Sequence, residues 1–124
     1  MKKYKSVFKE GVFDNIDVSS IDLTPLEKKL SKMLKTNITL TREYSKQNAL
    51  RVRSQNLTDY TGLFENILTS CFVTTSSVNI NERKNELILI LELYYTYIRS
   101  KSHSIEILKS YYNLETKKWT FEEL

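Results

Sequence analysis

Residues 87–98 read Leu-Ile-Leu-Ile-Leu-Glu-Leu-Tyr-Tyr-Thr-Tyr-Ile. Every odd-numbered position of this run is leucine or tyrosine, whereas the even-numbered positions mix isoleucine with Glu92, Tyr94 and Thr96. Because successive side chains of a β-strand point to opposite faces, a period of two residues is typical of a strand. The run therefore predicts a long strand, here expected over 86–99, with one face fully buried and the other partly buried.

The composition is that of one folded domain. The chain has 124 residues, of which 40% are hydrophobic and 27% charged, and this balance excludes a disordered chain. Two glycines and one proline leave little material for long loops, so we expect short turns built on Asn, Asp, Ser and Lys. We expect an extended N-terminal arm over residues 1–22 and a single α+β domain over residues 23–124.

The first helix is predicted to begin at Thr24. Pro25 suits the first helical position, and Thr24 with Glu27 has the spacing of a capping box, in which each side chain bonds the other residue's backbone amide. Apolar residues then recur at helical spacing and predict one buried stripe, formed by Leu26, Leu30, Met33 and Leu34.

The remaining elements follow from short apolar patterns. Residues 37–42 and 49–53 predict a hairpin. A second helix is expected from about residue 56 to Cys71, because apolar side chains there recur at intervals of three and four: Tyr60, Leu63, Phe64, Ile67, Leu68 and Cys71. From Phe72 onward strand patterns alternate with short turns, over 72–81, 86–99, 103–113 and 119–121.

Together these patterns predict the α+β class. Two helices pack on one face of an antiparallel sheet, the C-terminal half is a meander of about four strands, and the arm precedes them. An antiparallel sheet with helices on one side leaves its other side to solvent or to a partner.

The sequence lacks the residue patterns that catalysis, metal binding or phosphate binding would need. The single histidine, His103, lies between two serines, and neighbouring residues of a strand point to opposite faces instead of sharing a hydrogen bond. Metal-ligand spacings and a phosphate-binding glycine loop are absent from the sequence. We therefore expect a non-enzymatic protein that uses no metal or cofactor. Cys71 is expected to be a small buried hydrophobe on the second helix.

The sequence also bears on location. The longest apolar run, residues 87–91, is far shorter than the ~18 residues that a membrane span requires, and no secretory signal is apparent. We expect a cytoplasmic protein without membrane contact. The frequent Lys, Asn, Ile and Tyr are typical of AT-rich coding sequences, and favour a viral, phage or low-GC bacterial origin, with the host cytoplasm or a virion as its location.

Aromatic residues are the most informative candidates for recognition. Three interpretations are open for them. The rings could pair across strands and cover the rim of the core, form an interface with a protein partner, or stack single-stranded bases. The residues that we assign to partner binding are Phe8 and Phe13 of the arm together with Tyr94, Tyr95, Tyr97, Tyr111, Tyr112 and Trp119 of the sheet.

Positive charge supports the nucleic-acid alternative. The formal net charge is +4, and four basic residues cluster around the first hairpin: Arg42, Lys46, Arg51 and Arg53. The aromatic-rich half, however, also carries many glutamates, so positive charge is sparse where the rings are densest.

The leading hypothesis is therefore a small interaction or assembly protein, oligomeric or part of a larger structure such as a viral particle. A sequence-tolerant binder of single-stranded nucleic acid is the first alternative. An inhibitor of a host protein is the second.

Overall fold

A computed structural model describes residues 18–44, 50–57, 68–97 and 101–124. The described strands form one six-stranded antiparallel sheet in which every strand pairs with its neighbours in the sequence. The strands are β1 (Leu40–Tyr44), β2 (Leu50–Ser54), β3 (Leu68–Asn81), β4 (Glu86–Tyr97), β5 (Ser102–Asn113) and β6 (Trp119–Glu123). The helix α1 (Thr24–Leu34) and a short 3₁₀ helix (Val18–Ser20) precede the sheet.

The long strand β4 confirms the alternation seen in the sequence. Leu87, Leu89, Leu91 and Leu93 are at most 1% exposed and lie in the hydrophobic core with the leucines of α1. The even-numbered residues between them are half-buried on the opposite face. The described structure is thus mostly an antiparallel sheet with one helix against one face, which agrees with the α+β class.

Two details of the predicted fold are wrong. The meander runs through six strands instead of about four, because the first hairpin joins the same sheet. Residues 68–71, expected at the end of a second helix, belong to β3 instead, and Cys71 is a fully buried strand residue. Residues 58–67, on which most of that helix was expected, lie outside the described residues.

Helix α1 has the predicted buried stripe, since Leu26, Leu30 and Leu34 are all buried. Its predicted capping box is wrong. Leu23 occupies the N-cap position without a side-chain hydrogen bond, and the Thr24 amide donates to the Asp22 carboxylate at 3.0 Å.

Glu27 has a different role from the expected one. Its carboxylate accepts a hydrogen bond from the amide of Leu40 at 2.8 Å, at the start of β1. Ser31, one turn further along α1, accepts another from the amide of Ile38 at 2.9 Å. These two side chains connect the helix to the segment that leads into the sheet.

The described end of the expected arm lies against the same side of the sheet as α1. Val18 and Ile21 are only 2% exposed. The carbonyls of Ile21 and Asp22 accept hydrogen bonds from the side chains of Arg42 and Trp119 respectively. Residues 1–17, including Phe8 and Phe13, lie outside the described residues.

Turns between strands rely on asparagine, as the low glycine content predicts. Asn85 has a left-handed backbone with φ 54°, a conformation that asparagine tolerates better than most residues. At the β3–β4 and β5–β6 hairpins, the side chains of Asn81 and Asn113 respectively accept hydrogen bonds from backbone amides of the turns.

The junction between β2 and β3 is made partly by side chains. The pairing recorded there places Arg53 opposite Thr74. Beside it, the amide of Val52 donates to the hydroxyl of Thr75 at 3.0 Å, and the amide of Val73 donates to the hydroxyl of Ser54 at 2.8 Å. Both hydroxyl-bearing residues are buried, so these bonds join the first hairpin to the rest of the sheet inside the core.

Candidate interaction surface

The face of the sheet opposite α1, hereafter the open face, is the candidate site. None of the described helices covers it, and the cross-strand register places on it a mixture of apolar, aromatic and charged side chains. Besides smaller polar residues, the open face carries these charged, aromatic and large apolar side chains and Thr74: Glu43, Arg51, Arg53, Phe72, Thr74, Glu86, Ile88, Ile90, Glu92, Tyr94, Glu106, Lys109, Tyr111 and Glu122.

The aromatic residues assigned to partner binding lie on both sides of the sheet. Tyr94 and Tyr111 lie on the open face. Tyr95, Tyr112 and Trp119 lie on the side of α1, packed in or against the core. Tyr97 belongs to β4, but its side chain is outside the described residues. The five predicted residues whose side chains are described are therefore divided between the two faces and do not form one surface.

On the helix side, the rings pack against one another across strands. Tyr112, which is 5% exposed, lies 5.0 Å from Trp119, and Trp119 stacks at 6.0 Å on Phe121. The ring of Tyr95 stacks at 5.3 Å on His103. Burial raises the pKa of the Tyr112 hydroxyl. These residues close the rim of the core, which is one of the alternatives that the sequence left open.

On the open face, three side chains from adjacent strands form a stack. The Arg53 guanidinium of β2 lies 3.9 Å from the ring centre of Phe72 in β3, and that ring stacks at 4.9 Å on Tyr94 of β4. The sequence reasoning did not single out Phe72. Its partnership depends on the pairing of β3 with β4, which places Phe72 directly opposite Tyr94.

Tyr94 is anchored at its polar end. Its hydroxyl donates to the hydroxyl of Ser102 at 2.5 Å, and the Thr96 hydroxyl lies 3.2 Å from the same Ser102 oxygen. Hydrogen bonds to Ser102 and then Thr96 lower the pKa of Tyr94 from its ordinary value near 10.0.

The hydrogen bond between Tyr94 and Ser102 leads to a testable prediction. We expect Ser102→Ala to raise the pKa of Tyr94 toward its ordinary value, because the ionised ring loses a hydrogen-bond donor. NMR titration of ring-labelled tyrosines measures it, with the Tyr111 signal, which lies beside Glu122 instead, as the internal control. An unchanged Tyr94 titration in the variant would contradict the assignment.

The basic residues proposed for nucleic-acid binding are also divided. Arg51 and Arg53 lie on the open face, whereas Arg42 lies on the helix side and donates to the Ile21 carbonyl. Lys46 is outside the described residues. On the open face Arg53 has Glu43 as a counter-ion at 3.9 Å.

The charge of the open face differs from that of the whole chain. Among its described residues, five carboxylates (Glu43, Glu86, Glu92, Glu106 and Glu122) outnumber three basic groups (Arg51, Arg53 and Lys109), a balance of −2. The chain as a whole carries +4. The described part of this surface therefore has a charge balance opposite in sign to that of the whole chain.

Apolar side chains occupy the middle of the open face. Ile88 and Ile90 of β4 are half-buried there, next to Tyr111 and Lys109 of β5. The Tyr111 hydroxyl donates to Glu122 at 3.0 Å, and the Lys109 ammonium lies 5.5 Å from the Tyr111 ring centre. Ile88 and Ile90 thus form a small apolar centre between Tyr111 and Lys109 of β5 and the polar residues Asn79 and Ser77 of β3.

Other chemistry is sparse in the described part of the chain. No group of three His, Cys, Asp or Glu side chains in it is placed to hold a metal ion. The thiol of Cys71 is buried, and burial raises its pKa. No described helix combines the length and apolar character needed to cross a membrane.

Comparison of the chain with protein-family models, with curated proteins and with solved structures gave no significant match.

Proposed function

We propose that this chain is a non-enzymatic binding protein that recognises another protein through the open face. The observation that carries the proposal is the apolar centre formed by Ile88 and Ile90, which no described helix covers and which charged residues flank. Interfaces that bind well combine a desolvated apolar or aromatic centre with a polar surround. The excess of carboxylates favours a partner whose contact surface is basic around an apolar patch.

Two features weigh against binding of single-stranded nucleic acid at this face. The balance of −2 repels phosphates. The ring of Phe72 also has Arg53 against one face and Tyr94 against the other, so a base cannot stack on it without displacing one of them. The observation that still favours this alternative is the presence of Arg51 and Arg53 on the same face.

The test is capture of the partner by the full-length chain, comparing wild type with Ile90→Asp. A carboxylate at the apolar centre is expected to weaken binding at least ~10-fold, because it must be desolvated on contact. Lys32→Asp, at an exposed position of α1, is the matched control and is expected to bind like wild type. The partner is identified by mass spectrometry and its affinity is then measured with purified components.

Nuclease treatment before capture separates the two functions. The proposal is supported if, after nuclease treatment, wild type still captures the partner protein and Ile90→Asp does not. Capture that nuclease abolishes, or that weakens equally in both variants, contradicts it and favours the nucleic-acid alternative or another surface.

A further inference from the structure

The even-numbered residues of β4 form a row on the open face that is apolar in the middle and acidic at both ends. Glu86, Ile88, Ile90 and Glu92 occupy every second position of the strand, and all four are half-buried. Their odd-numbered neighbours lie in the core, so the four side chains point to the same side of the sheet. Two residues of a strand span about 6.7 Å, so the row is about 20 Å long.

The end of the row at Glu92 carries a second carboxylate. The register places Glu92 directly opposite Glu106 of β5. The Cβ atoms of opposite residues lie about 4.5–5.5 Å apart, and like charges in such positions destabilise a sheet. The hydroxyl of Ser76 lies 3.3 Å from the Glu106 carboxylate but carries no charge. We call Glu92 and Glu106 the carboxylate pair. A cation placed between them would offset their repulsion.

No basic side chain in the described part of the chain forms an ion pair with the carboxylate pair. The ion pairs formed there involve Lys29 of α1 and Arg53 of β2 instead. Lys109 of β5 has its ammonium 5.5 Å from the ring centre of Tyr111. The complement that this end of the row favours is therefore a cation supplied by the binding partner, next to apolar groups that cover the isoleucines.

We propose that the partner protein presents a basic amphipathic α-helix that lies along β4, an inference that rests on the function proposed above. Two apolar side chains of this helix contact Ile88 and Ile90. A lysine or arginine at one end of the contact lies near Glu86. Another, at the opposite end, lies between the two members of the carboxylate pair.

The dimensions of the row favour a helix as the bound element. Residues i, i+4, i+7 and i+11 lie on one face of a helix and span about 17 Å, close to the length of the row. Lysine and arginine at the two ends have side chains long enough to cover the remaining distance. A helix also satisfies its own backbone hydrogen bonds, whereas a lone strand laid flat on the face of a sheet would leave its backbone groups unpaired.

A synthetic helical peptide with the pattern Lys-x3-Ile-x2-Ile-x3-Lys on an alanine and glutamine background is the probe. Titration into the isotope-labelled full chain, followed by NMR, is expected to show saturable binding with amide shifts concentrated at residues 86–92 and 106–109. The control peptide exchanges the lysines with the isoleucines, so its composition and charge are unchanged. It is expected to bind at least ~10-fold more weakly, because its charges then lie over the apolar centre.

Reversal of one charge tests the carboxylate pair. Glu92→Lys is expected to weaken binding of the probe at least ~5-fold. A peptide in which one of the two lysines is replaced by glutamate is expected to regain affinity for this variant, since the charges are exchanged across the contact. Glu115→Lys, at an exposed position of the turn between β5 and β6, is the matched control and is expected to bind the probe within about twofold of wild type.

Several outcomes would overturn the proposal. Equal affinity for the two lysine peptides, or binding that Glu92→Lys leaves unchanged, would show that the pattern along β4 is not what is recognised. If the probe does not bind although wild type captures a partner that Ile90→Asp does not, the proposed function stands and the basic helix is wrong. If the probe does not bind and sedimentation shows a dimer that Glu92→Lys abolishes, a second copy occupies the open face instead.

Discussion

Leu91→Ala is expected to lower the free energy of unfolding by about 3 kcal/mol, within the range of roughly 2–5 kcal/mol observed for fully buried leucines. Leu91 is 0% exposed and lies between Thr75 of β3 and Leu108 of β5, in the centre of the sheet. Both neighbours are themselves buried, so the vacated volume cannot fill with solvent or collapse easily. Denaturant unfolding followed by circular dichroism measures the loss.

Ile90→Ala is the matched control for this prediction. It removes the same number of carbon atoms from the neighbouring residue, which is half-buried on the open face. We expect the free energy of unfolding to fall by about 1 kcal/mol. Ile90 is only half-buried, so its truncation removes less buried apolar area and leaves no enclosed cavity. Equal losses for the two variants would show that the two faces of β4 are not buried differently.

The buried side of β4 could be predicted because leucine occupies four successive odd-numbered positions, which is the two-residue period of a strand. The second helix could not be assigned correctly at its end, since Leu68 and Cys71 fit both a helical interval and a strand that leads into Phe72. Short apolar segments do not distinguish the two, and tertiary pairing with β4 decided in favour of the strand.

The sequence also could not predict which aromatic side chains lie on the same face of the sheet. Register shifts interrupt β3 between Thr75 and Ser77, and β5 at Ile107, and each one reverses the alternation of side chains further along the strand. No residue type marks either shift in this sequence. The assignment of these aromatic residues to partner binding stays a prediction, and their distribution between the open face and the core could be read only from the pairing of the strands.

The same limitation applies to the stack on the open face. Arg53 and Phe72 belong to different strands whose pairing is recorded at a single position, Arg53 with Thr74. The glutamates that make the open face acidic come from β1, β4, β5 and β6, so only the assembled sheet shows their excess over the basic residues.

The second large effect is expected at the junction of β2 and β3. Combining Ser54→Ala with Thr75→Val is expected to destabilise the fold by about 3–4 kcal/mol, because the buried amides of Val73 and Val52 both lose their acceptors. Leaving one buried donor unsatisfied costs ~1–3 kcal/mol, and valine has nearly the shape of threonine, so the loss at Thr75 reports the hydroxyl instead of a cavity.

Thr74→Val provides the control for this junction. Thr74 is adjacent in sequence, but its hydroxyl lies on the open face, where it donates to the Val52 carbonyl at 3.4 Å. Its loss is expected to cost below about 1 kcal/mol. Amide exchange completes the measurement: Val52 and Val73 are expected to exchange faster in the double variant, whereas the amides between β4 and β5 keep their protection until global unfolding. Unchanged exchange at Val52 and Val73 would mean that the two hydroxyls do not hold the hairpin to the sheet, and that the hydrophobic contacts of Leu50 and Val52 suffice.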